Sequence, residues 1–305
     1  MVTDRERAAV LALVNVAGRD WEWYRIAQAV ADAGSALRLI DGEWSGFESE
    51  DTRGLKDVAA AARADISRYE ELIREQRAGG AHCITVLDED YPANLRAIYN
   101  PPPFLFVRGS LSAADERSIA IVGTRRASAA GLEQARWLAS SLAKEGVTVL
   151  SGLARGIDTA AHRAALDVGG RTVAVMGTGI NRRYPAENSE LADEIERQGA
   201  LVSQFWPDAP PTRKSFPMRN VVMSGMALGT VVVEASSTSG AKMQARLALE
   251  HGKLVFLIRS LVLGEEWAQS YVDKRGAIVV DDVADVLDRL VRFSKDTDFE
   301  QLKLG

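Results

Sequence analysis

Arginines beside glycines and hydroxyl residues are the clearest chemical feature of this 305-residue sequence. The segment Gly123-Thr-Arg-Arg-Ala-Ser128 directly follows a short apolar run. Its glycine lets a ligand approach the backbone, and Ser128 can cap a following helix, whose free N–H groups attract anions. Arg125 and Arg126 supply phosphate donors. These residue types predict an anion-binding site.

Two later segments combine cations with aromatic rings. Residues 177–185 contain two consecutive arginines before a tyrosine, and residues 213–220 contain an Arg-Lys pair before Phe216. This combination suits single-stranded nucleic acid, because the charges bind phosphates while the rings stack on bases. Phe216 and Trp206 could equally belong to the packing of a lid.

A hydroxyl-rich segment, residues 234–242, precedes a predicted helix and forms another candidate anion cradle. Glu234 at its start could be catalytic or could orient the loop, and the sequence leaves both roles open.

The segment 151–158 places two glycines around an arginine at a predicted helix start. Asp158 and His162 are four residues apart, share a helix face and could form an acid–base pair. We favour a structural role for both, because no candidate nucleophile is adjacent in sequence. In that interpretation Asp158 caps the helix and His162 packs beneath the loop.

Several kinds of site are missing from the sequence. A nicotinamide-binding domain usually carries Gly-x-Gly-x-x-Gly and an acidic residue that ends its second strand. This sequence has neither, and it has no Gly-x-x-x-x-Gly-Lys-Ser/Thr motif. Its one cysteine, Cys83, rules out an internal disulfide and a multi-cysteine metal cluster. We expect no cofactor and no bound metal.

Apolar runs alternate with helical segments from residue 118 onward. Predicted strands are 118–123, 147–151, 172–177, 200–203, 230–234, 254–258 and 277–280, and predicted helices are about 130–145, 158–168, 188–198, 217–227, 240–252 and 282–293. Continuous Val, Ile and Leu runs indicate strands buried on both faces. The pattern predicts an α/β fold with a doubly wound, mostly parallel sheet of extended Rossmann type. Such sheets bind ligands beyond the carboxyl ends of their strands, where the segments above lie.

The N-terminal part has a helical pattern. Apolar residues recur with helical spacing over about 4–17 and 22–33, and about 55–77 resembles a longer helix. The segments HCITVLDEDYP and FLFVRG, from His82 onward, predict two strands. We therefore expect a small helical domain over 1–80 and a sheet domain over 81–305.

The net charge of −5 is unevenly distributed. Residues 1–117 carry 14 basic and 20 acidic side chains, residues 118–260 carry 17 and 12, and residues 261–305 carry 6 and 10. The predicted sheet is therefore basic, at +5, between acidic flanks, which favours a polyanionic ligand. No apolar run is long enough to span a membrane and the N-terminus lacks a signal-like stretch, so we expect a cytoplasmic protein without a membrane partner.

The motifs resemble those of the DprA/Smf family of DNA-processing proteins. The resemblance covers about residues 82–281 and includes DEDYPANLRAIYNPPPFLFVRG, IAIVGTRRAS, SGLARGIDTAAHRAAL, GTGINRRYP, SFPMRN, VVVEASSTSGA and QARLALEHGK. It implies a non-enzymatic protein that binds single-stranded DNA, acts in recombination or DNA uptake, forms a homodimer and loads a RecA-type recombinase.

The resemblance also implies which residues form the DNA pocket. Its motifs correspond here to Gly123, Thr124, Arg125, Ser128, Ser151, Gly152, Ala154, Gly156, Lys214, Phe216, Arg219 and Asn220. From the loop segments themselves we add Arg126, Arg155, Gly177, Gly179, Arg182, Arg183, Ser239, Gly240 and Lys242. We predict no catalytic residue, and we assign Asp158, His162 and Glu234 a structural or acid–base role.

The sequence departs from the family pattern in the second half of this pocket. Val221 follows Asn220 where the family usually has a second arginine, and Gln204 replaces a usual glutamate. Arg259-Ser260 replaces a usual Pro-Gly. Because the chain stops near 305, we expect no room for the winged helix that many members carry. These departures suggest a divergent paralogue.

Two alternative functions remain open at this point. The protein could be an antitoxin or sensor paired with a toxin in phage defence, which the altered loop after the sixth strand suggests. It could also resemble nucleotide phosphoribohydrolases, with Arg219 and Glu234 as functional residues. The Pro-Gly-Gly-x-Gly-Thr-x-x-Glu block of that superfamily is absent, which disfavours the enzymatic alternative.

Overall fold

A computed structural model describes residues 2–18, 22–43 and 54–292 of the protein. Within these ranges the helices are α1 (Asp4–Ala17), α2 (Trp23–Ala33), α3 (Ala36–Ile40), α4 (Leu55–Ala62), α5 (Ile66–Ala78), α6 (Ala93–Arg96), α7 (Ala129–Lys144), α8 (Ile157–Asp167), α9 (Ser189–Gln198), α10 (Ser215–Met226), α11 (Gly240–Glu250), α12 (Arg259–Gly264), α13 (Glu266–Arg275) and α14 (283–292). No helix among the described residues is both long and apolar enough to cross a membrane.

One sheet contains the nine strands of the described residues. They are β1 (Ala81–Thr85), β2 (Phe104–Gly109), β3 (Ser118–Val122), β4 (Thr148–Ser151), β5 (Thr172–Val175), β6 (Ala200–Ser203), β7 (Gly229–Val232), β8 (Leu254–Ile258) and β9 (Ile278–Val280). Their order is β1-β2-β6-β5-β4-β3-β7-β8-β9. Strand β2 runs antiparallel to β1 and β6, and all other neighbours are parallel. The predicted fold class is confirmed.

The topology explains where a ligand site can form. From β3 the chain builds outward through β4, β5 and β6, and it then returns to the other side of β3 to add β7, β8 and β9. The direction in which successive strands are added to the sheet thus reverses at β3, and a crevice opens at the carboxyl ends of the strands beside such a switch point. The loops after β3, β4 and β7 meet there.

The predicted elements agree with the structure from residue 118 onward, because uninterrupted apolar runs specify fully buried strands. All residues of β3 to β7 are buried. The single helix predicted over about 55–77 is two helices, α4 and α5, joined by a short 3₁₀ turn at Arg63–Asp65. At this turn Arg63 donates to the carbonyl of Ile40 at 3.1 Å. Helices α12 and α13 fill the segment after β8, for which the sequence analysis predicted no element.

The N-terminal helices pack onto the sheet through aromatic side chains. The Trp206 ring lies with its centroid 5.3 Å from those of both Tyr69 on α5 and Phe104 on β2. Trp206 is therefore a packing residue. One apolar core runs continuously from α1 through α5 into this face of the sheet, and a second core fills the opposite face. The expected boundary between two domains at about residue 80 stays a prediction.

A partly buried ion pair also joins the two parts. Arg7 on α1 donates from Nη2 to Asp88 Oδ1 at 2.6 Å, and the same carboxylate accepts from the backbone and the hydroxyl of Thr85 at 2.8 and 2.9 Å. Asp88 is buried at the end of the β1 segment. The Asp88 carboxylate thus holds the turn that follows β1, and through Arg7 it also holds α1 against the sheet.

We expect Asp88→Ala to lower the free energy of unfolding by about 2–3 kcal/mol, because the Thr85 donors and the Nε and Nη2 groups of Arg7 lose their acceptor, while Asp4 still accepts from Arg7 Nη1. Asp90→Ala is the matched control, since Asp90 is exposed two residues away. That control should change stability by no more than about 0.5 kcal/mol. Urea unfolding of the three proteins measures the difference, and equal midpoints would show that the pair does not hold α1 in place.

Candidate functional site

A cleft of about 350 Å³ opens at the carboxyl end of β3. Four helix starts and the loops before them contribute to its walls: the loop before α7, the start of α8, the first two turns of α10 and the start of α11. Its lining residues are Val122, Gly123, Thr124, Arg125, Ala154, Asp158, Phe216, Pro217, Arg219, Asn220, Met223, Ser236, Ser239, Gly240, Ala241, Met243 and Gln244. The cleft therefore brings together predicted residues from segments that are far apart in sequence.

Arg219 lies at the floor of the cleft and is only 6% exposed. Its Nη1 donates to the carbonyls of Gly152 at 2.6 Å and Val175 at 2.9 Å, and its Nε donates to Asn220 Oδ1 at 3.0 Å. These bonds tie α10 to the ends of β4 and β5. Burial, partly offset by Asp158, lowers the pKa of Arg219 from its usual value. In the described part of the chain, no hydrogen bond joins Nη2 to an acceptor.

Asp158 is the buried countercharge of Arg219. One of its oxygens accepts from the backbone N–H groups of Gly152 at 3.1 Å and Ala154 at 3.3 Å. Burial raises the pKa of this carboxyl, and the nearby Arg219 opposes the rise. Gly152 has to be a glycine, because a Cβ there would lie 1.7 Å from Arg219 Nη1. The buried position of Arg219 therefore depends on the glycine at residue 152, in the loop after β4.

Arg125 is exposed at the rim of the cleft. Its guanidinium carbon lies 5.0 Å from the centroid of the Phe216 ring, a cation–π contact. The Phe216 ring also packs on Gly177, where a Cβ would come within 2.7 Å of the ring. The loops after β3 and β5 thus meet at one aromatic side chain of α10.

The start of α11 faces the cleft without an acidic neighbour in its first turn. Ser239 caps the helix, accepting from Lys242 N at 3.1 Å, and Asn220 Nδ2 donates to the Gly240 carbonyl at 3.4 Å. Among the described residues no acceptor bonds to the N–H groups of Gly240 and Ala241, which therefore remain as anion donors on the wall beside Arg219.

The start of α7 is occupied by a side chain of the protein itself. Glu234 Oε2 accepts from Ser128 N at 3.1 Å and from Ser128 Oγ at 2.9 Å. Gly131 makes room for this carboxylate, because a Cβ there would lie 2.2 Å from Oε2. The structure therefore places Ser128 and Glu234 together, in a neighbouring cleft that shares Thr124 and Ser236 with the first.

His162 is fully buried below the cleft, and its Nδ1 is 2.7 Å from Thr172 Oγ1. Asp158 and His162 thus have separate hydrogen-bond partners. Burial, together with the positive charge of Arg219, lowers the pKa of His162 to about 3. The histidine is therefore neutral at ordinary pH.

The arginines of the loop after β5 bond to the protein instead of lining the cleft. Arg183 pairs with Asp193 at 3.1 Å and Glu196 at 2.6 Å, and Arg182 Nε donates to the Asp208 carbonyl at 2.6 Å. In the same loop, a Cβ at Gly179 would lie 2.2 Å from the carbonyl oxygens of residues 206 and 207.

The remaining predicted residues are not among those that line the cleft. Arg126 and Lys214 are exposed, and Arg155 is exposed and paired with Glu187. Lys242 Nζ lies 5.7 Å from the centroid of the Trp267 ring. Ser151 is buried and donates to the Ile121 carbonyl at 2.6 Å. Gly156 has φ +75°, and a Cβ there would lie 2.4 Å from the Thr124 carbonyl oxygen.

Several cleft residues were not predicted. Met223 and Gln244 are one helical turn beyond Arg219 and Gly240 on α10 and α11, so helical spacing from the predicted positions could have found them. Ser236 lies in the predicted hydroxyl-rich segment but was not singled out. The remaining unpredicted lining residues are Val122, Pro217, Ala241 and Met243.

Comparison with known proteins follows from this geometry. Residues 82–291 match the family model described as DNA recombination-mediator protein A. The chain is 42% identical over 212 residues to the protein Smf of Escherichia coli K12, and the match covers 68% of this chain and 56% of that protein. The chain thus spans little more than half of that relative's length.

Two solved structures are similar over most of their length. The X-ray structure of DNA processing protein A (DprA) from Streptococcus pneumoniae has a TM-score of 0.70 at 29% identity, covering 94% of this chain and 98% of that one. DNA processing protein A from Helicobacter pylori, described as having a unique single-stranded DNA binding mode, has a TM-score of 0.62 at 25% identity. That match covers 70% of this chain and 96% of the other.

We expect Gly152→Ala to lower the free energy of unfolding by about 3 kcal/mol or more, because the added methyl group displaces the Arg219 guanidinium from its buried acceptors. Gly240→Ala is the control within the same cleft, since a Cβ there meets nothing within 4 Å. It should change stability by less than about 1 kcal/mol. Thermal and urea unfolding compare the two, and a Gly152→Ala protein as stable as the control would contradict the contacts described for Arg219.

We also expect stability to fall as the pH is lowered from 6.5 to 5. His162 and His251 have folded-state pKa values lowered to about 3 and about 4, so in this range the unfolded chain binds protons that the folded protein does not. The fully buried His162 contributes a slope approaching about 1.4 kcal/mol per pH unit, and the partly exposed His251 contributes less because solvent screens it. Urea unfolding of His162→Gln across this range should show a shallower dependence of the unfolding free energy on pH. The difference in slope should correspond to about one bound proton. An unchanged slope would contradict the buried, neutral state of His162.

Proposed function

Because the chain belongs to the DNA recombination-mediator protein A family, we propose that it binds single-stranded DNA in the cleft and acts in DNA recombination or uptake. The relatives named above are DNA-processing proteins, and the Helicobacter pylori structure is described by its single-stranded DNA binding mode. The site of binding is the cleft beyond β3, which Arg125, Arg219 and the start of α11 surround.

The observation that carries this proposal is the buried guanidinium at the floor of the cleft. Arg219 is held by three acceptors of the protein and keeps one nitrogen for a ligand. A buried arginine that is already fixed loses little conformational freedom when it binds a phosphate. The exposed Arg125 at the rim and the first N–H groups of α11 add donors for the same phosphate or its neighbour.

Base stacking adds the preference for a single strand. Phe216 borders the cleft, and its ring faces Arg125. A base can stack on this ring when Arg125 moves from the ring to a phosphate, which exchanges one favourable contact of the cation for another. The positive balance of residues 118–260 attracts the strand, and the acidic flanks limit binding elsewhere on the surface.

We infer that the protein acts without catalysing a reaction on the DNA. The two acidic residues singled out in the sequence are engaged: Asp158 bonds to backbone N–H groups beneath the cleft, and Glu234 bonds to Ser128. Through these contacts the two carboxylates hold the loops in place. Incubation with nucleoside monophosphates should therefore release no free base.

The family membership further supports a homodimer that works in the cytoplasm and hands the bound strand to a RecA-type recombinase. We propose these properties together with DNA binding, and we prefer a recombinase to a toxin as the partner. Retention of a recombinase by the immobilised protein, and of no toxin-like transferase, is the expected result.

We expect Arg125→Ala to weaken binding to a short poly(dT) oligonucleotide by at least about tenfold, because a charge-assisted hydrogen bond to phosphate is lost. The slope of log affinity against log salt should become shallower by about one. Fluorescence anisotropy across a salt series measures both quantities.

The control for this experiment is Arg74→Ala. Arg74 is exposed on α5, far from the cleft in sequence and paired with Glu71. It should leave affinity and salt slope unchanged, and both variants should melt like the original protein. If the original protein binds no oligonucleotide at low salt, or if both variants weaken binding equally, the cleft is not the DNA site.

A further inference from the structure

Tyr184 is an exposed aromatic residue next to Phe216, which lines the cleft. It follows β5, is 43% exposed, and its ring centroid lies 6.0 Å from that of Phe216 with the rings tilted by 44°. Among the described residues, the cations that lie over aromatic rings cover Phe216 and others but not Tyr184. Of the two neighbouring rings, Tyr184 is thus the one that a base can reach without moving Arg125.

We propose that Tyr184 is a second base-stacking platform, which holds the nucleotide next to the one at Phe216. This inference rests on the proposed function of the cleft. It extends the binding path from Arg125 and Phe216 across Tyr184 toward the start of α8.

The spacing of the two rings favours separated bases. Stacked bases in a DNA strand are about 3.4 Å apart, whereas the two ring centroids are 6.0 Å apart and tilted. Two neighbouring bases that each stack on one ring must therefore be unstacked from each other. A flexible single strand can adopt this arrangement, but a duplex keeps its bases stacked and paired, so the two rings select single-stranded DNA.

Arg155 continues the path beyond Tyr184. It is exposed at the loop before α8, pairs with Glu187, and is close enough to Tyr184 to interact with it electrostatically. An exposed ion pair of this kind contributes little to stability. Arg155 can therefore exchange its carboxylate partner for the phosphate of the nucleotide on Tyr184.

The loop that carries Tyr184 is held in place by its own arginines. Arg183 pairs with Asp193 and Glu196 on α9, and Arg182 donates to the Asp208 carbonyl. These bonds attach the loop to α9 and to the segment after β6. In this proposal Arg182 and Arg183 are positioning residues for Tyr184, and the phosphate contacts come from Arg125 and Arg155.

The test compares Tyr184→Ala with Tyr184→Phe and with Tyr99→Ala. Tyr99 is the matched control, because it is an exposed tyrosine (55%) that packs on His251 away from the cleft. With a poly(dT) oligonucleotide of about 16 nucleotides, Tyr184→Ala should weaken binding about five- to a hundredfold, which corresponds to about 1–3 kcal/mol per stacked base. Tyr184→Phe and Tyr99→Ala should bind as the original protein does.

Two further readouts separate stacking from other roles. The salt slope of Tyr184→Ala should equal that of the original protein, because no charge is removed. Irradiation of the original protein with an oligonucleotide that contains 5-iododeoxyuridine should crosslink Tyr184, which mass spectrometry of the peptides detects. This measurement needs no variant and holds even if a substitution disturbs folding.

The outcomes distinguish this inference from the proposed function. If the original protein binds the oligonucleotide, Arg125→Ala weakens it, and Tyr184→Ala binds normally without a crosslink at Tyr184, the second platform is refuted while the DNA site stands. If the original protein binds no single-stranded DNA, both the function and the platform are refuted.

Discussion

The whole site depends on one buried charge, the guanidinium of Arg219. Removing a cation from water is costly unless acceptors and a countercharge surround it. Here the carbonyls of Gly152 and Val175 and the nearby Asp158 meet that requirement. The same bonds fix α10 against the ends of two central strands, so the floor of the cleft is formed before any ligand arrives.

This arrangement also decides which helix starts can attract a ligand. The start of α7 is neutralised by Glu234, and the loop before α8 directs its N–H groups to Asp158. The start of α11 carries no such carboxylate in its first turn. In the proposed function, a phosphate therefore binds at the wall between α10 and α11, beside Arg219, and the strand continues from there toward the aromatic rings at the rim.

The sequence was sufficient to predict the sheet, its mostly parallel strands and the edge on which the cleft lies. Uninterrupted apolar runs specify buried strands, and parallel strands end at one edge. It was not sufficient to predict whether each arginine is exposed, paired or buried. Arg125, Arg183 and Arg219 occur in similar loop segments, yet one is exposed, one is paired with α9 and one is buried. The partners of Arg183 and Arg219 on other elements lie 10 to 67 residues away in sequence, and loop composition does not encode those contacts. The break between α4 and α5 escaped prediction for the same reason.

A structure of the protein with a short poly(dT) oligonucleotide is the most direct test of the central claim. The account predicts a phosphate oxygen within hydrogen-bond distance of Arg219 Nη2, with Arg125 moved from the Phe216 ring to a phosphate of the strand. A strand bound to another surface, with the cleft empty and Arg125 still over the ring, would contradict it.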